Sequence, residues 1–545
     1  MIPTSPIPGQ KTGTSGLRRK VALVASTELY IENWLQSLMN ALGGCVVGAI
    51  LVLGGDGRFL NDVAAVSAVE IFAANGVKRL IVGKNCLLST PACSAVIRSV
   101  NAFGGVIMTA SHNPAGLHGD WGIKYNSNNG EPASEKITDL IYQETLKIDK
   151  IQKLDLGISP IDFTTIGERQ IGNFTLQVID PVDTYLQLLK AIFDFEKLAR
   201  YFNTHKILFD GMHAVTGVYA HRIFCSELGL PESCLQNCVP LPDFAGGHPD
   251  PNLVYAHDLV DRMKNCGEFV LGAASDGDGD RNMIMGNRGW FVTPSDSLAI
   301  IADNAVGSIS YFAHRGLVGV ARSMPTSRAI DLVCAAKGIP LFQTPTGWKY
   351  FGNLMDAKLV NLCGEESFGT GADHIREKDG IWAVLAWMSI LANNPGMSVQ
   401  GINEAHWNKY GRHVYCRCDY EEVDANAANR MMKHIEEHAI SLVGTEIAPG
   451  FVITEANQYE YTDPVDGSVA SKQGMIVCFA NGSRIVYRLS GTGSAGATIR
   501  IYMEHFVKEW TKDTSKLENG PLMNIAKEIS QIEAFTQRTK PNVVT

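Results

Sequence analysis

Paired cysteines are missing from this chain of 545 residues: its twelve cysteines fall at irregular spacings, and no C-x-x-C occurs. They read as reduced, mostly buried thiols of an intracellular protein, not as a disulfide framework. An excess of positive charge is missing too. With 47 Lys plus Arg against 56 Asp plus Glu, the formal charge is −9. That balance opposes a general nucleic-acid surface, so any anionic ligand must be held by locally clustered cations. The opening segment MIPTSPIPGQKTGTSGLRRK has no apolar signal core, which argues against secretion. The longest apolar run, Trp382 to Ala392, is too short for a membrane span and predicts a core helix. There is no low-complexity tail and no internal repeat by residue identity. What is present is an ordinary globular composition, 45% apolar and 19% charged with mean hydropathy zero. The length suggests roughly three to four domains.

Strand-like runs alternate with helical ones through most of the chain. VALVAS (Val21 to Ser26), AILVLGG, RLIVG, GGVIMTAS, KILFDG, EFVLGAAS and GLVGVARS read as strands, and Asp62 to Asn75 and Ser295 to Gly307 as amphipathic helices. This predicts α/β units with largely buried sheets. From about Tyr410 the rhythm changes to short alternating strands, a polar helix near Asp424 to Ile440 and a glycine hairpin, which fits a smaller α+β module. The boundaries expected are 1–180, 181–292, 293–409 and 410–545.

Four loops carry the chemistry. SGTGSAG spells G-x-G-x-x-G with Gly491, Gly493 and Gly496, the signature of a dinucleotide turn. Alternating strand residues stand on both sides, however, no helix opens after it, and only 49 residues follow Gly496. With Arg488 and Arg500 flanking Ser490, Thr492 and Ser494, the better reading is a phosphate loop without a Rossmann helix. DGDGDR places Asp276, Asp278 and Asp280 at alternate positions between glycines. Three carboxylates converging on one point need a hard divalent cation, with Mg²⁺ the default. An EF-hand is excluded, because Arg281 stands at position six and Asn287 at position twelve. TASHNPAG sets Ser111 beside His112 but lacks the glycines of a nucleophile elbow, since Thr109 and Asn113 occupy those places. Beside a metal loop, Ser111 becomes a candidate phosphoryl acceptor. GEESFG offers Glu365, Glu366 and Ser367, groups suited to sugar hydroxyls, and His374, Arg376 and Lys378 follow for phosphate or proton transfer. Each loop follows a predicted strand, so one loop from each of four domains could meet in a shared cleft.

Together with GTSGLR, GGDGRF, GIKYN, GHPDPN, ARSMPTS, TPTGWK and DPVDGS, in this order along nearly the whole chain, the loops resemble those of the α-D-phosphohexomutases, and within that family the eukaryotic phosphoglucomutase branch. The resemblance implies three similar mixed-sheet α/β domains and a smaller C-terminal α+β domain around a central cleft. It implies interconversion of glucose 1-phosphate and glucose 6-phosphate through glucose 1,6-bisphosphate on a phosphoserine enzyme in the cytoplasm. By position, Ser111 is then the phosphoserine, and Asp276, Asp278 and Asp280, with a phosphoserine oxygen, hold Mg²⁺. Arg18 and Arg281 match the active-site arginines. Thr346, Gly347, Glu365 and Ser367 match the sugar contacts, and His112, Lys124 and Lys378 are the proton-transfer and phosphate-contact candidates. Arg488, Ser490, Gly491, Thr492, Gly493 and Arg500 match the C-terminal phosphate loop. The alternatives are a catalytically silent structural or adhesion paralogue, or a mutase for another hexose phosphate such as mannose or N-acetylglucosamine.

Overall fold

Short apolar runs build the centre of the first sheet. Its seven strands run in the order Leu17–Lys20, Asp120–Ser127, Gly104–Met108, Ile50–Gly55, Arg79–Gly83, Phe174–Ile179, Gly167–Ile171. The inner strands Gly104–Met108, Ile50–Gly55, Arg79–Gly83 and Phe174–Ile179 pair in parallel, and the edges are antiparallel. Burial of Leu51, Val52 and Leu53 in succession is what helices on both faces of a parallel sheet require. The computed structural model describes the chain apart from residues 14, 158–159, 494–495 and 512–519 and the side chains of 491–493. Contacts divide it into two compact units. One comprises Met1–Val292, Asn304–Val318 and Gly347–Gln400; the other comprises Thr293–Asp303, Gly319–Thr346 and Gly401–Thr545.

Within the first unit a second mixed sheet orders Leu235–Gln236, Lys206–Asp210, Phe269–Ser275, Asn282–Gly286 and Trp290–Val292. The hairpin Leu362–Glu365 with Gly369–Ala372 and the helix Gly380–Asn393 also belong to this unit. That helix holds the apolar run expected in the core, and from Gly380 to Leu391 every residue is buried. Among the described residues no helix is long and apolar enough to cross a membrane.

The second unit contains the parallel pair Val320–Ser323 and Leu341–Thr344 and a seven-stranded antiparallel sheet. The helices Ala425–Ser441 and Gly520–Ser530 cover one face, packing Met431, Ile435, Leu522 and Ile525 over Ile453, Tyr487 and Ile501. Asp424 caps the first of these helices by accepting from the Ala427 amide.

One strand expectation fails. Val21–Ser26 is a helix, entered directly from the strand Leu17–Lys20. Its buried residues are Val21 and Val24, three apart, while Leu23 is exposed. A short continuous apolar run carries no period of its own, so tertiary packing chose the helical face.

Candidate active site

Ser111 lies just beyond the strand Gly104–Met108, in the left-handed region at φ +53°. A non-glycine residue there costs about 1–2 kcal/mol, so its surroundings must hold it. They do so through a buried chain of donors. The Ser111 amide donates to the Thr109 hydroxyl at 2.7 Å, and that hydroxyl donates to Asp56 Oδ2 at 2.6 Å. Arg58 pairs with the same carboxylate at 2.8 Å, both side chains being fully buried. The guanidinium also donates to the carbonyls of Ser111 and Asp120, each at 2.7 Å. Burial raises the Asp56 pKa and Arg58 opposes the rise. Asp56 and Arg58 come from GGDGRF, a motif whose letters alone point to no such role.

The aspartate loop follows the strand Phe269–Ser275 and packs against this turn. Gly277 has no room for a Cβ, which would stand 2.4 Å from the Ser111 carbonyl oxygen, and Gly279 takes φ +82°. Thus the glycines of DGDGDR let the backbone double back beneath the serine. Asp276, Asp278 and Asp280 are all buried, and one oxygen from each lies within 4.8 Å of the others. The Ser111 hydroxyl donates to Asp276 Oδ2 at 3.1 Å. Thr90, in the first turn of the helix Thr90–Ser99, donates to Asp278 Oδ2 at 2.7 Å. Asp278 Oδ1 and Asp280 Oδ1 are buried without a hydrogen-bond partner. Burial drives the Asp276 pKa well upward, reinforced by Asp280 and Asp278. At Asp278 burial acts in the same direction but is outweighed by Lys124, the Thr90 hydroxyl, Lys378 and Arg18, and the pKa falls to about 2. Buried carboxylate oxygens without donors, aimed at one point, fit a hard divalent cation. A solvated turn would leave them in water.

Cations ring this cluster. Lys378 pairs with Asp280 at 3.0 Å, and Lys124 stands 3.8 Å from Asp278 and 3.3 Å from Glu377. Burial lowers both lysine pKa values, but neighbouring carboxylates, Asp280 for Lys378 and Glu377 with Asp278 for Lys124, reverse the effect and hold both as ammonium. Arg281 pairs with Asp250 at 2.9 Å, and its amide donates to Asp276 Oδ1. Arg18 reaches Asn113 at 3.5 Å. The His112 ring nitrogen Nδ1 lies 3.4 Å from the Ser111 hydroxyl, and its ring stacks on His248. Burial, then the nearby Arg281, Arg18 and Lys378, push its pKa well below 6.5, which keeps it neutral. Glu365 and Glu366 are buried, so GEESFG is no surface loop, and Glu365 accepts from the Gly347 amide at 3.0 Å. Ser367 is half-buried beside them.

The first unit therefore brings together Ser111, His112, Arg18, Lys124, the three aspartates, Arg281 and Lys378, with the hairpin that carries Glu365 and Ser367 and with Gly347. Thr346 and the glycine loop belong to the second unit. There the strands Arg484–Gly493 and Gly496–Val507 form the expected hairpin, with no helix after the glycines. Arg488 and Arg500 are direct cross-strand partners, Ser490 faces Thr498, and Gly493 faces Gly496. Like charges placed opposite each other destabilise a sheet, unless an anion lies between them. Arg488 donates to the Tyr502 hydroxyl, and Arg500 stands 3.5 Å from Asp419. Gly491, Thr492 and Gly493 are described in backbone only, and Ser494 lies outside the described residues.

Three descriptions of the phosphoglucomutase/phosphomannomutase α/β/α domains match in order: domain I at residues 9–152, domain II at 183–289 and domain III at 294–410. A fourth, the phosphoglucomutase-1 C-terminal domain, matches 412–542. The chain belongs to this family. Four family domains in this order establish the four-domain architecture. Phosphoglucomutase-1 of Homo sapiens is 50% identical over 560 residues, covering 100% of this chain and 99% of the human one. The chloroplastic phosphoglucomutase 1 of Marchantia polymorpha is 51% identical over 557 residues, covering 100% and 84% respectively. Among solved structures, the open form of the exocytosis-sensitive phosphoprotein pp63/parafusin, a phosphoglucomutase from Paramecium, superposes with a TM-score of 0.91 at 47% identity, covering 100% of this chain and 98% of that one. A metal cofactor is a family property, and the aspartate triad is the cluster that suits it.

Sequence reasoning missed the supports as a group: Asp56 and Arg58, Thr90, Asp250 and Glu377. It also grouped three residues that the structure separates. Lys378 joins the aspartates, while His374 bonds Asp379, which caps the helix Gly380–Asn393, and Arg376 turns to Asp356.

Proposed function

We propose that this chain is a phosphoglucomutase that interconverts glucose 1-phosphate and glucose 6-phosphate, with Ser111 carrying the phosphoryl group and glucose 1,6-bisphosphate as the intermediate. One observation carries the reading: the Ser111 hydroxyl lies 3.1 Å from a buried carboxylate of a three-aspartate cluster. Asp276, Asp278, Asp280 and an oxygen on Ser111 would hold Mg²⁺. When bound, the ion would offset negative charge on the phosphoryl group being transferred. The remaining work falls to this chain's own side chains.

Phosphoryl transfer needs positioning and neutralised charge more than covalent help. The left-handed turn at Ser111 presents its hydroxyl to the aspartate loop, and Arg18, Arg281 and Lys378 supply fixed positive charge around it. Lys124 is tied to Glu377 and Asp278, and His112 is the neutral ring nearest the serine hydroxyl; the general base is not assigned between these groups. Glu365 and Ser367, with Thr346 and Gly347, are proposed to meet the sugar hydroxyls. The intermediate must present either phosphate to the same serine, so the distal one needs a single cradle. The opposed Arg488 and Arg500, with Ser490, Gly491, Thr492 and Gly493, are proposed for it. Domain bounds of 1–180, 181–292, 293–409 and 410–545 are part of this proposal, as is a cytoplasmic setting: relatives carry cytoplasmic as well as chloroplastic names.

A retained cluster of buried charges favours catalysis over a silent structural role, since unused buried carboxylates only cost stability. The test is a coupled assay from glucose 1-phosphate with Mg²⁺ and a trace of the bisphosphate. Peptide mass analysis should find one phosphoryl group on Ser111, and Ser111→Ala should remain folded and lose almost all turnover. A fully active Ser111→Ala protein would remove the phosphoserine from the mechanism.

A further inference from the structure

Arg376, left without a task in the active site, lines a separate cavity of about 780 Å³ within the first unit. Its volume falls inside the range of small-molecule sites, roughly 300–1,000 Å³. Its lining is rich in cations: Arg98, Arg315, Lys358 and Arg376 stand against only two carboxylates, Asp356 and Asp373. In a chain of net charge −9 that local excess is unusual. Arg376 binds Asp356 at 2.7 Å, and Asn129 bridges Asp356 to Arg98. Lys358 makes no ion pair among the described residues. Burial and then Arg376 lower the Arg98 pKa, with Asp356, Asp373 and Glu131 opposing the shift. A polyanion would add charge-assisted hydrogen bonds to these guanidinium groups.

The lining is also apolar in part, with Leu188 and Ile192 of the helix Asp183–Ile192, Met355 and Val360, and the rings of Tyr311 and His314. Inorganic phosphate or a bare sugar phosphate would leave these apolar groups wet. A flat heterocyclic base joined to phosphates would meet both kinds of lining. We propose that this cavity is a second ligand site, for a nucleoside polyphosphate, whose occupant lowers mutase turnover through the segment 373–379.

The route is short. Arg376 lies two residues from Lys378, which pairs with Asp280, and adjoins Glu377, which pairs with Lys124. A second arm reaches the same segment: Arg315 lies over the Tyr311 ring and donates to its hydroxyl, which in turn donates to Asp373 at 2.5 Å. Phosphates competing with Asp356 and Asp373 for these arginines would pull the segment toward the cavity and loosen Lys378 from Asp280. Binding is independent of the mutase reading, and the effect on turnover rests on it.

The experiment uses the full chain. Fluorescent mant-ADP is titrated in EDTA, which removes metal-mediated binding at the aspartates. It should bind saturably at one site, be displaced by unlabelled ADP and survive saturating glucose 1-phosphate. The double variant Arg315→Ala/Lys358→Ala loses two charge contacts and should bind roughly tenfold more weakly or worse. Its mutase rate without nucleotide should be unchanged, and the several-fold inhibition by ADP expected of the native protein should disappear. Absent saturation, full displacement by glucose 1-phosphate, unchanged affinity in the double variant, or displacement by phosphate as effective as by ADP would each overturn the proposal. Binding is read without turnover, so a chain that bound ADP and lacked mutase activity would overturn the mutase reading alone.

Discussion

Replacing Arg58 by lysine tests whether the reactive serine is held in place from behind. Arg58 is fully buried and engages Asp56 through Nε, Asp120 through Nη1 and the Ser111 carbonyl through Nη2. A lysine keeps the charge, so Asp56 retains a counterion, but one ammonium cannot span three acceptors in different directions. The two carbonyl contacts are the expected loss. Hydrogen bonds from a charged donor are worth about 1.5–3 kcal/mol each, so together they contribute at least about 3 kcal/mol. The left-handed turn at Ser111 costs about 1–2 kcal/mol by itself. Once the carbonyl clamp is gone, the remaining Thr109 bond barely offsets that strain, and the serine turn relaxes.

The consequence should appear in turnover more than in affinity. If the full 3 kcal/mol is expressed in the transition state, kcat falls roughly a hundredfold. KM should move little, because the substrate-facing groups are untouched. Coupled kinetics, the rate of Ser111 phosphorylation from the bisphosphate and a denaturant titration together read this out. Arg58→Met serves as the comparison: it strands a buried carboxylate and should cost about 3–5 kcal/mol of stability as well. An Arg58→Lys enzyme with native kcat and native phosphorylation rate would refute the argument.

Three further outcomes are expected. Chelation should abolish turnover and Mg²⁺ restore it, while Asp278→Asn weakens metal affinity measured by titration, since one of three hard anionic ligands is lost. Arg488→Ala should weaken glucose 1-phosphate and glucose 6-phosphate alike, by roughly tenfold or more, because each lodges its distal phosphate in one cradle; a loss in only one direction would speak against a shared site. Glu504 is buried between Arg484 and His413. Burial favours its neutral form, but Arg484 and then its contact with His413 outweigh burial and hold its pKa well below the usual carboxylate range. Its stabilisation is thus complete above the unfolded pKa of about 4.3 and is lost as pH falls toward the folded value. Glu504→Gln should destabilise the second unit by about 3–5 kcal/mol at neutral pH and flatten its stability below pH 4, as followed by acid unfolding.

The reach of the sequence is set by how far apart the partners of each feature lie along it. Asp276, Asp278 and Asp280 sit within five residues, so their convergence is a property of one short loop and shows in the letters. The glycine hairpin is similarly local: alternation on both sides of Gly491 to Gly496 predicts two strands, and two strands are found. Val21–Ser26 fails for the converse reason, because five apolar residues and a serine fit either period and only the packing of Val21 and Val24 decides. The clamp behind Ser111 is further out of reach. Arg58 and Ser111 are 53 positions apart, and Lys124 and Glu377 are 253 apart. Nothing in either local segment names the other. An arginine in GGDGRF looks like any surface cation until the fold removes it from water, and only then must it find carbonyls and a carboxylate. The groups that meet a ligand are legible here because they cluster in short, polar, glycine-rich loops. The groups that aim them are not, because the contacts that give them meaning reach far along the chain.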